Sequence, residues 1–463
     1  MIKTFDHGSD RCMNNPTRNH FNHAVIIGGS IAGLLAARVL SEHCDRVTIL
    51  ERDTYPSTPQ PRPGVPQSSQ IHVLLAQGEN LLEQLFPGLK RELIQNNAIE
   101  VNWTTDYSVL FPQGWAAKVP SEVTTQTCTR HLLETLLRQR LADYSNIHFQ
   151  PNCRVTGLLA NQDKKTLKGV NIQSNGTESE ILAQLIVDAS GRSSDAPQWL
   201  EKLGYEKPKE TVINSFLGYA TRWYEGKANL NSDWKVMGIL PSAPDCTRGG
   251  LILPVEGDRW IVLLSGMNRD YPPTDEAEFL EFARSLRSPI LYEILKEAKP
   301  LSPVYPYRAT ENRLRHYEKV SKRPNNFIAI GDAVCTFNPI YGQGMTVAAL
   351  GALTLDSCLK QHPSKGNYSG FSQRFHQQLA KVNQSPWLMA TSDDLKWPGT
   401  IGEKPSLLTK AALGYFEQIM VAVTENPQVF LRFTEVVHML KPSTSLFEPN
   451  ILIPVLSQWM QRK

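Results

Sequence analysis

The chain has 463 residues, of which 41% are hydrophobic, and its 48 basic residues nearly balance its 45 acidic ones. One hydrophobic core rarely serves more than about 250–300 residues, so this length predicts more than one domain. The small net charge does not favour a nucleic-acid partner, and no apolar run reaches the roughly 18–20 residues that a transmembrane helix needs.

The cysteines and the N-terminus bear on the compartment. The seven cysteines are widely spaced and form no CxxC pair, which is not typical of a disulfide framework or a zinc site. The polar residues 1–22 carry no apolar segment of a secretory signal. We therefore expect a cytoplasmic protein without a metal site, whose residues 1–22 form a flexible tail.

The first predicted elements form a βαβ unit. An apolar run at 24–27 predicts a strand, apolar residues at helical spacing follow at 34–40, and a second strand is predicted at 47–50. The turn after the first strand reads Gly28-Gly29-Ser30-Ile31-Ala32-Gly33. This order of elements is typical of a dinucleotide-binding unit.

The residues of this turn suit a pyrophosphate. Gly28 and Gly33 match the first and last glycines of the GxGxxG fingerprint, whereas Ser30 replaces the middle one. Glycines allow a tight turn, and the following helix N-terminus attracts the phosphates. Glu51 ends the second strand, where an acid binds the ribose hydroxyls. Because an acid repels a 2′-phosphate, FAD or NAD is favoured over NADP.

The rest of the chain alternates helical and extended patterns. A stretch rich in proline and serine at 54–69 predicts a loop. The further predicted helices are 71–86, 128–142, a buried helix at 344–360 and several proline-broken helices in the last hundred residues. The further predicted strands are 182–189, 327–330 and antiparallel runs within 205–308, among them a hairpin that turns at Glu256-Gly257-Asp258.

Two distant motifs decide between the dinucleotides. One is Asp188-Ala189-Ser190-Gly191-Arg192, and the other joins Gly331-Asp332-Ala333 to the segment Pro339–Gly344, which reads PIYGQG. Asp332 after a strand suits a ribityl hydroxyl. The helix after PIYGQG would point its N-terminus at the pyrimidine edge of a flavin and stabilise negative charge there. These motifs favour FAD.

With GGSIAG, DASGR, GDA and PIYGQG in this order, residues 22–365 resemble the single-component (group A) FAD-dependent monooxygenases of the para-hydroxybenzoate hydroxylase fold. A narrower resemblance is to FAD-dependent oxidoreductases with the motifs RxGVPQ, HVLL and LFPGL, which begin here at Arg62, His72 and Leu85. The resemblance implies an α/β (α+β) fold. In it, a Rossmann-like GR2-type FAD-binding domain is interleaved with an antiparallel-sheet substrate domain and followed by a C-terminal helical extension.

The implied domains are discontinuous. After the tail at 1–22, they comprise an FAD-binding domain at 23–100, 126–204 and 309–365, a substrate-binding domain at 101–125 and 205–308, and a C-terminal helical region at 366–463.

The resemblance also implies which residues hold FAD. Arg62 would contact the pyrophosphate, Arg130 the ribityl or phosphate region, Val155 the adenine, and Asp332 the ribityl chain. Asp188 would lie near FAD and the nicotinamide donor, although it could instead cap its own turn. The full predicted set is Gly28, Gly29, Ser30, Ala32, Gly33, Glu51, Arg52, Arg62, Arg130, Val155, Asp188, Gly331, Asp332, Pro339, Gly342, Gly344 and Met345, of which the last two would offer backbone N–H groups to the flavin.

The implied reaction belongs to secondary metabolism. NADH or NADPH would reduce FAD, and O₂ would form a C4a-hydroperoxide that hydroxylates or epoxidises a small aromatic or lipophilic (isoprenoid- or polyketide-like) metabolite. Candidate substrate contacts are His72, Trp223, Tyr224 and Trp260, any of which could equally be a packed residue, and no catalytic acid or base is assigned.

Three alternative functions stay open: a flavin-dependent reductase of isoprenoid double bonds, a flavin-dependent halogenase and a non-catalytic FAD-binding protein. The halogenase is disfavoured because the chain has no WxWxIP stretch. The oligomeric state also stays open, as does a peripheral membrane contact of the C-terminal helices.

Overall fold

The computed structural model describes residues 21–226, 233–362, 368–403 and 407–461, with the backbone alone for residues 407–413 and 461. The predicted tail lies outside the described residues, apart from Phe21 and Asn22, which belong to the first strand. This strand begins earlier than predicted because the buried ring of Phe21 stacks on Tyr368 at 5.2 Å and packs edge-on against Phe371. Both partners come from the C-terminal region.

The described residues form strands and helices that we number in chain order. The strands are β1 (Phe21–Ile27), β2 (Cys44–Leu50), β3 (Ile99–Asn102), β4 (Tyr107–Phe111), β5 (Gly114–Trp115), β6 (Thr124–Thr127), β7 (Ile147–Gln150), β8 (Cys153–Ala160), β9 (Leu167–Ser174), β10 (Thr177–Leu182), β11 (Leu185–Asp188), β12 (Glu210–Ile213), β13 (Gly218–Glu225), β14 (Val236–Ile239), β15 (Arg248–Val255), β16 (Arg259–Gly266), β17 (Tyr305–Tyr307), β18 (Asn312–Arg315), β19 (Phe327–Ala329) and β20 (Cys335–Thr336). The helices are α1 (Ile31–Leu40), α2 (Ala76–Leu85), α3 (Leu89–Gln95), α4 (Arg130–Ala142), α5 (Ala196–Lys202), α6 (Glu276–Arg284), α7 (Ile290–Leu295), α8 (Gly344–Lys360), α9 (Phe371–Asp394), α10 (Leu407–Ala422), α11 (Pro427–Val437) and α12 (Pro449–Gln461).

A parallel sheet of five strands in the order β19-β11-β1-β2-β7 forms the first layer. Its central strand is buried on both faces, as the unbroken apolar run Ala24-Val25-Ile26 requires. Helices α1 and α8 pack together beside it. The carboxyl ends of β1, β2, β11 and β19 meet at one edge, where ligands bind in open α/β sheets.

The second large sheet has seven strands in the order β17-β13-β16-β15-β14-β4-β5. The predicted hairpin is present, with β15 and β16 joined at Glu256-Gly257-Asp258. The sheet is mixed rather than wholly antiparallel, because β4 pairs with β14 in parallel. These two strands lie far apart in the chain, so no local pattern reveals their pairing.

Several predicted boundaries move. The helix predicted at 71–86 begins at Ala76, after a short 3₁₀ turn at Pro66–Ser69. The strand predicted at 182–189 is divided, since Leu182 ends β10 and β11 spans Leu185–Asp188.

The C-terminal region is helical, as predicted, and covers both sheets. Helix α9 packs on α8 and β19, whereas α10, α11 and α12 pack on one another. Helix α11 closes over β4, where Phe111 lies 5.9 Å from Phe433 and 6.4 Å from Phe430 between ring centroids. None of the helices in the described ranges combines the length and apolar character needed to cross a bilayer. The fold class is confirmed, and the domain boundaries stay a prediction.

Candidate functional site

A cavity of about 700 Å³ extends from the carboxyl edge of the parallel sheet to the seven-stranded sheet and α11. We call its side on the parallel sheet, α1, α4 and α8 the polar wall. The side formed by residues 103–111, the seven-stranded sheet and α11 is the apolar wall. The apolar wall is made by Trp103, Tyr107, Val109, Phe111, Tyr219, Ile239, Leu240, Leu251, Leu263, Phe430, Phe433, Val437 and His438, with a few small or polar residues between them.

Most residues predicted to hold FAD share this cavity. Those on its wall are Gly28, Gly29, Ser30, Ala32, Glu51, Arg52, Arg62, Arg130, Val155, Asp332, Pro339, Gly342, Gly344 and Met345. Gly33, Asp188 and Gly331 are not among the lining residues and contribute by packing behind the wall.

The turn between β1 and α1 depends on its glycines. Gly28 has φ +101°, and a Cβ there would lie 2.6 Å from the carbonyl oxygen of Ala189. A Cβ on Gly33 would lie 1.9 Å from the carbonyl oxygen of Gly28, so this glycine brings α1 close to β1. The N-cap residue Ser30 makes no side-chain capping bond, which leaves the first amides of α1 without a capping side chain.

Ser30, at the middle glycine position, connects the turn to α4. Its hydroxyl donates to Glu134 Oε2 at 2.6 Å and accepts from Arg130 Nη2 at 2.8 Å. Arg130 Nε is buried and has no hydrogen-bond partner among the described residues. The serine therefore positions Arg130 at the cavity, which explains the departure from the glycine fingerprint.

Arg62 lies in a buried ion cluster. Its guanidinium contacts Glu134 at 2.9 Å, Asp53 at 2.8 Å and Glu51 at 3.1 Å. Burial disfavours the charge, but Glu134 and Glu51 outweigh it and raise the pKa of Arg62. Glu51 Oε2 also accepts from the amide of Gly29 at 3.0 Å. The cluster fixes both Arg62 and Glu51 against the glycine turn.

Asp188 caps its own turn instead of lining the cavity. It is fully buried and accepts hydrogen bonds from the amide and hydroxyl of Ser190 and from the hydroxyl of Ser194. Burial raises the pKa of Asp188, and the bonds from Ser190 and Ser194 oppose that rise. Of the two expectations for Asp188, these contacts match the capping of its own turn: its carboxylate holds the backbone of 189–193, which lines the cavity, and is not itself on the cavity wall.

Unlike Asp188, Asp332 lies on the cavity wall. It follows β19, and no donor among the described residues binds its carboxylate. Burial raises the pKa of Asp332, while Arg192, Arg130 and Arg315 act in the opposite direction. Gly331 before it has φ +61°, and a Cβ there would lie 2.7 Å from that of Ala32. This close approach brings the Asp332 segment against α1.

Helix α8 directs its first turn at the same cavity. Its N-cap residue Gln343 makes no side-chain capping bond, and both Gly344 and Met345 line the wall. The N-termini of two helices, the 10-residue α1 and the 17-residue α8, thus face the cavity without a capping side chain. The carboxylate of Asp332 faces the same cavity without a hydrogen-bond donor among the described residues. These groups fit FAD: α1 would hold its pyrophosphate, Asp332 its ribityl chain and α8 its flavin.

The loop before α8 is anchored by α9, which the sequence did not reveal. Asn338 Nδ2 donates to Asp394 Oδ1 at 2.9 Å, and the hydroxyl of Tyr341 donates to the same atom at 3.1 Å. Burial raises the pKa of Asp394 to about 7, helped by Asp393 and opposed by bonds from Ser215, Tyr341 and Asn338. No local motif marks Asp394, because its partners lie about 50 residues earlier in the chain.

The aromatic residues predicted to contact substrate lie elsewhere. Tyr224 and Trp260 point to the face of the seven-stranded sheet that packs on α6 and α7, since side chains alternate along a strand. Trp223 is on the other face, but its ring stacks on His131 at 5.8 Å and its indole N–H donates to the carbonyl of Ser69 at 3.2 Å. All three are outside the cavity and pack in the core, which corrects the prediction.

His72 does line the cavity, as a substrate contact must. Its ring nitrogen Nδ1 lies 3.0 Å from the carbonyl oxygen of Gln70. Burial lowers the pKa of His72 to about 3, and the charge of Arg130 adds to the effect. The imidazole is therefore neutral at pH 7.

Comparisons with known proteins agree with this geometry. The family described as "FAD binding domain" matches residues 22–367. Protein Rv3254 of Mycobacterium tuberculosis (strain ATCC 25618 / H37Rv) is 30% identical over 421 residues, which are 88% of either chain. Kynurenine 3-monooxygenase of Salinispora tropica (strain ATCC BAA-916 / DSM 44818 / JCM 13857 / NBRC 105044 / CNB-440) is 24% identical over 74% of this chain and 73% of its own.

Among solved structures, the flavin-dependent brominase Bmp2 superposes with a TM-score of 0.67 at 14% identity, covering 96% of this chain and 100% of its own. At this identity the likeness concerns the fold alone. The family match spans both large sheets and the polar wall of the cavity, whereas α11 and His438 on the apolar wall lie beyond it. The chain therefore belongs to the FAD-binding family of monooxygenases with the para-hydroxybenzoate hydroxylase fold, and it is an FAD-dependent oxidoreductase.

Proposed function

We propose that the protein uses NADH or NADPH and O₂ to hydroxylate or epoxidise a small, uncharged aromatic or lipophilic molecule. The observation that carries this proposal is that one cavity has two unlike walls. The polar wall suits FAD, and the apolar wall suits a lipophilic substrate beside it. When bound, FAD would accept electrons from the nicotinamide and activate O₂.

The residues of this chain bind and orient the two molecules. The amides of α1 and α8 and the carboxylate of Asp332 are placed to hold the cofactor. The positive end of the α8 dipole, at its N-terminus, would stabilise negative charge on the reduced flavin ring. Helix α11 closes the apolar wall through Phe430 and Phe433 and would exclude water from the reacting oxygen.

The distribution of charged side chains around the cavity supports an uncharged substrate. The charged side chains on the cavity belong to the FAD side, namely Glu51, Arg52, Arg62, Arg130, Arg154, Arg192, Asp195 and Asp332. The apolar wall carries no carboxylate, ammonium or guanidinium among its described residues. One relative is named for kynurenine, an amino acid. Since an amino acid needs partners for both of its charges, we propose a different substrate class here.

The electron donor is proposed to visit the flavin without a domain of its own, because the sequence shows a single βαβ glycine fingerprint. We also propose a cytoplasmic location. The cysteines for which the structure describes a state, Cys44, Cys128, Cys153, Cys246, Cys335 and Cys358, are free, which suits a reducing compartment.

Oxygen consumption tests the proposed reaction. Holoenzyme is incubated with NADH or NADPH, with and without an extracted pool of lipophilic metabolites, while O₂ and reduced nicotinamide are followed together. We expect the pool to accelerate both rates equally. Substrate reduction under nitrogen would instead establish a reductase, and a product that forms only with added bromide or chloride would establish a halogenase. Either result contradicts the proposal.

A further inference from the structure

We propose that His438 and His72 bind the substrate with opposite hydrogen-bonding functions: His438 donates an N–H and His72 offers a lone pair. This pair selects an uncharged, largely apolar molecule that carries both an acceptor, such as a ketone oxygen, and a donor, such as a hydroxyl. The inference rests on the proposed function for the identification of the cavity as a substrate site.

His438 follows α11 and lies on the apolar wall with only 4% of its surface exposed. Its Nδ1 is 3.2 Å from the backbone nitrogen of Ala76. A backbone N–H is a donor, so Nδ1 must be the acceptor and carry no proton. The proton of the neutral ring is therefore on Nε2, and the ring is held at 5.0 Å from Trp103 between centroids.

The Nε2–H of His438 is left for a ligand. Burial lowers the pKa of this histidine to about 3, so the ring is neutral at pH 7. Within the described ranges, no acceptor binds Nε2, yet the atom is not sealed from the cavity. An apolar ligand against this N–H would remove it from water without giving it a partner, which is unfavourable. A substrate oxygen at this position would supply the partner.

His72 has the opposite tautomer. Its Nδ1 lies 3.0 Å from the carbonyl oxygen of Gln70, which only accepts, so the proton is on Nδ1 and Nε2 keeps its lone pair. The Gln70 side chain is itself fixed, because its Oε1 accepts from the hydroxyl of Thr221. For His72 Nε2 the described residues supply no donor, and the ring lines the cavity. This nitrogen can accept a hydrogen bond from a substrate hydroxyl or N–H.

The neutral N–H donor of His438 and the neutral acceptor nitrogen of His72 line one cavity, and together they define the class of ligand that it favours. A purely apolar ligand would fill the volume but leave both imidazoles unsatisfied. A ligand that bears a carboxylate would meet no cation on the apolar wall and would lose its hydration. The hydroxylated ketone is the simplest chemistry that satisfies both histidines.

Four probes of similar size separate these contributions: naphthalene, 1-tetralone, 6-hydroxy-1-tetralone and 1-naphthoate. Each is titrated into FAD-loaded enzyme, and binding is measured from the perturbation of the flavin absorbance and by calorimetry. We expect affinity to increase by about 3- to 10-fold for each hydrogen bond added. The expected order is therefore naphthalene, then 1-tetralone, then 6-hydroxy-1-tetralone, with 1-naphthoate binding most weakly.

Paired substitutions isolate the distal nitrogen of each histidine, since the short Asn amide replaces Nδ1 alone and the Gln amide reaches the position of Nε2. His438→Asn should weaken 1-tetralone about 3- to 10-fold and leave naphthalene unchanged, whereas His438→Gln should stay within about 2-fold. His72→Asn should weaken 6-hydroxy-1-tetralone by a similar factor without affecting 1-tetralone, and His72→Gln should retain the binding.

FAD content and circular dichroism establish that each variant is folded and loaded. The proposal is overturned if the Asn variants weaken naphthalene as much as the ketones, or if all four probes bind alike. It also fails if neither Gln variant behaves better than its Asn counterpart. If the pattern appears but no probe or metabolite supports O₂ consumption, the histidine assignment stands and the proposed function fails. If the enzyme oxygenates a substrate but the probes and variants do not show the expected order of affinities, the proposed function stands and the histidine assignment fails.

Discussion

The polar and apolar walls of one cavity are built in different ways. The polar wall comes from short segments, most of them at the end of a strand or the start of a helix, such as 28–32 and 342–345. Its groups are held by directed contacts, including the ion pairs of Arg62. The apolar wall comes from side chains of a seven-stranded sheet and of α11, which packing alone brings together.

This difference separates two kinds of constraint. Cofactor binding requires particular backbone conformations, so few residues suit each position on the polar wall. The apolar wall requires volume, low polarity and a small number of oriented polar groups. Substitutions on the first wall should therefore affect FAD, and those on the second should affect the substrate while FAD stays bound.

The largest effect is expected at the polar wall from Gly28→Val. The residue has φ +101°, and a Cβ would lie 2.6 Å from the oxygen of Ala189, so the turn cannot keep its shape. FAD should be lost from the purified protein, as measured by the ratio of flavin to protein absorbance.

The matched control is Gly176→Ala, where φ is +80° but no atom lies within 4 Å of a built Cβ. This control should remain yellow, because it carries the same type of backbone strain away from the cavity. A folded Gly28→Val protein with full flavin occupancy would contradict the assignment of the turn.

Asp332→Ala should have the next largest effect. Its carboxylate accepts no bond from the described residues and is available to a ribityl hydroxyl. A hydrogen bond to a charged group is worth about 1.5–3 kcal/mol, so FAD affinity should fall by about 10- to 150-fold. Fluorescence titration of the apoprotein with FAD measures this, and Asp332→Asn, which keeps one acceptor oxygen, should lose less. Unchanged affinity would rule out the role.

Leu251→Asp tests the apolar wall, where a substitution should weaken probe binding and leave FAD bound. A carboxylate placed there would have to be desolvated against an uncharged ligand. Binding of 6-hydroxy-1-tetralone should therefore weaken by about 10-fold or more, while the flavin content stays that of the wild type. Leu251→Met is the control and should bind the probe normally. Loss of FAD with retained probe binding would contradict the separation of the walls.

The last effect is on the stability of the fold rather than on ligand binding, and it concerns Asp394, which anchors the loop before α8. Its folded-state pKa of about 7 is above the ordinary value of 3.8, so the folded protein holds a proton that the unfolded chain releases. This group's contribution to stability therefore falls as pH rises from about 4 to 7, by at most about 1.4 kcal/mol per pH unit.

Asp394→Asn removes that titration. Whatever the variant loses in contacts, its stability relative to the wild type should increase between pH 5 and pH 8. Thermal denaturation of both proteins across this range measures the difference. A difference that is constant with pH would show that Asp394 does not titrate there.

The same contrast governs what the sequence can predict. Gly28, Glu51, Asp332 and Gly344 lie in local motifs whose spacing follows from strand and helix geometry, and the structure places them on one cavity. Asp188 belongs to such a motif but turns inward, because Ser190 and Ser194 satisfy its carboxylate. A motif identifies a turn more surely than the direction of each side chain in it.

The apolar wall was beyond prediction for a physical reason. Its composition depends on the register between β4 and β14 and on the packing of α11, both of which join distant segments. Trp223, Tyr224 and Trp260 are aromatic residues of the correct sheet, yet period-two alternation and their position along the strands keep them out of the cavity. His438 resembles any histidine near a helix end until its contact with Ala76 is known.

Incorporation of labelled oxygen tests the central claim most directly. The holoenzyme is incubated with NADH or NADPH, ¹⁸O₂ and a pool of lipophilic metabolites, and the products are analysed by mass spectrometry. The account predicts an uncharged product that contains one ¹⁸O atom and forms only when reduced nicotinamide is present. Products that lack ¹⁸O, with nicotinamide oxidised and a double bond reduced, would contradict it.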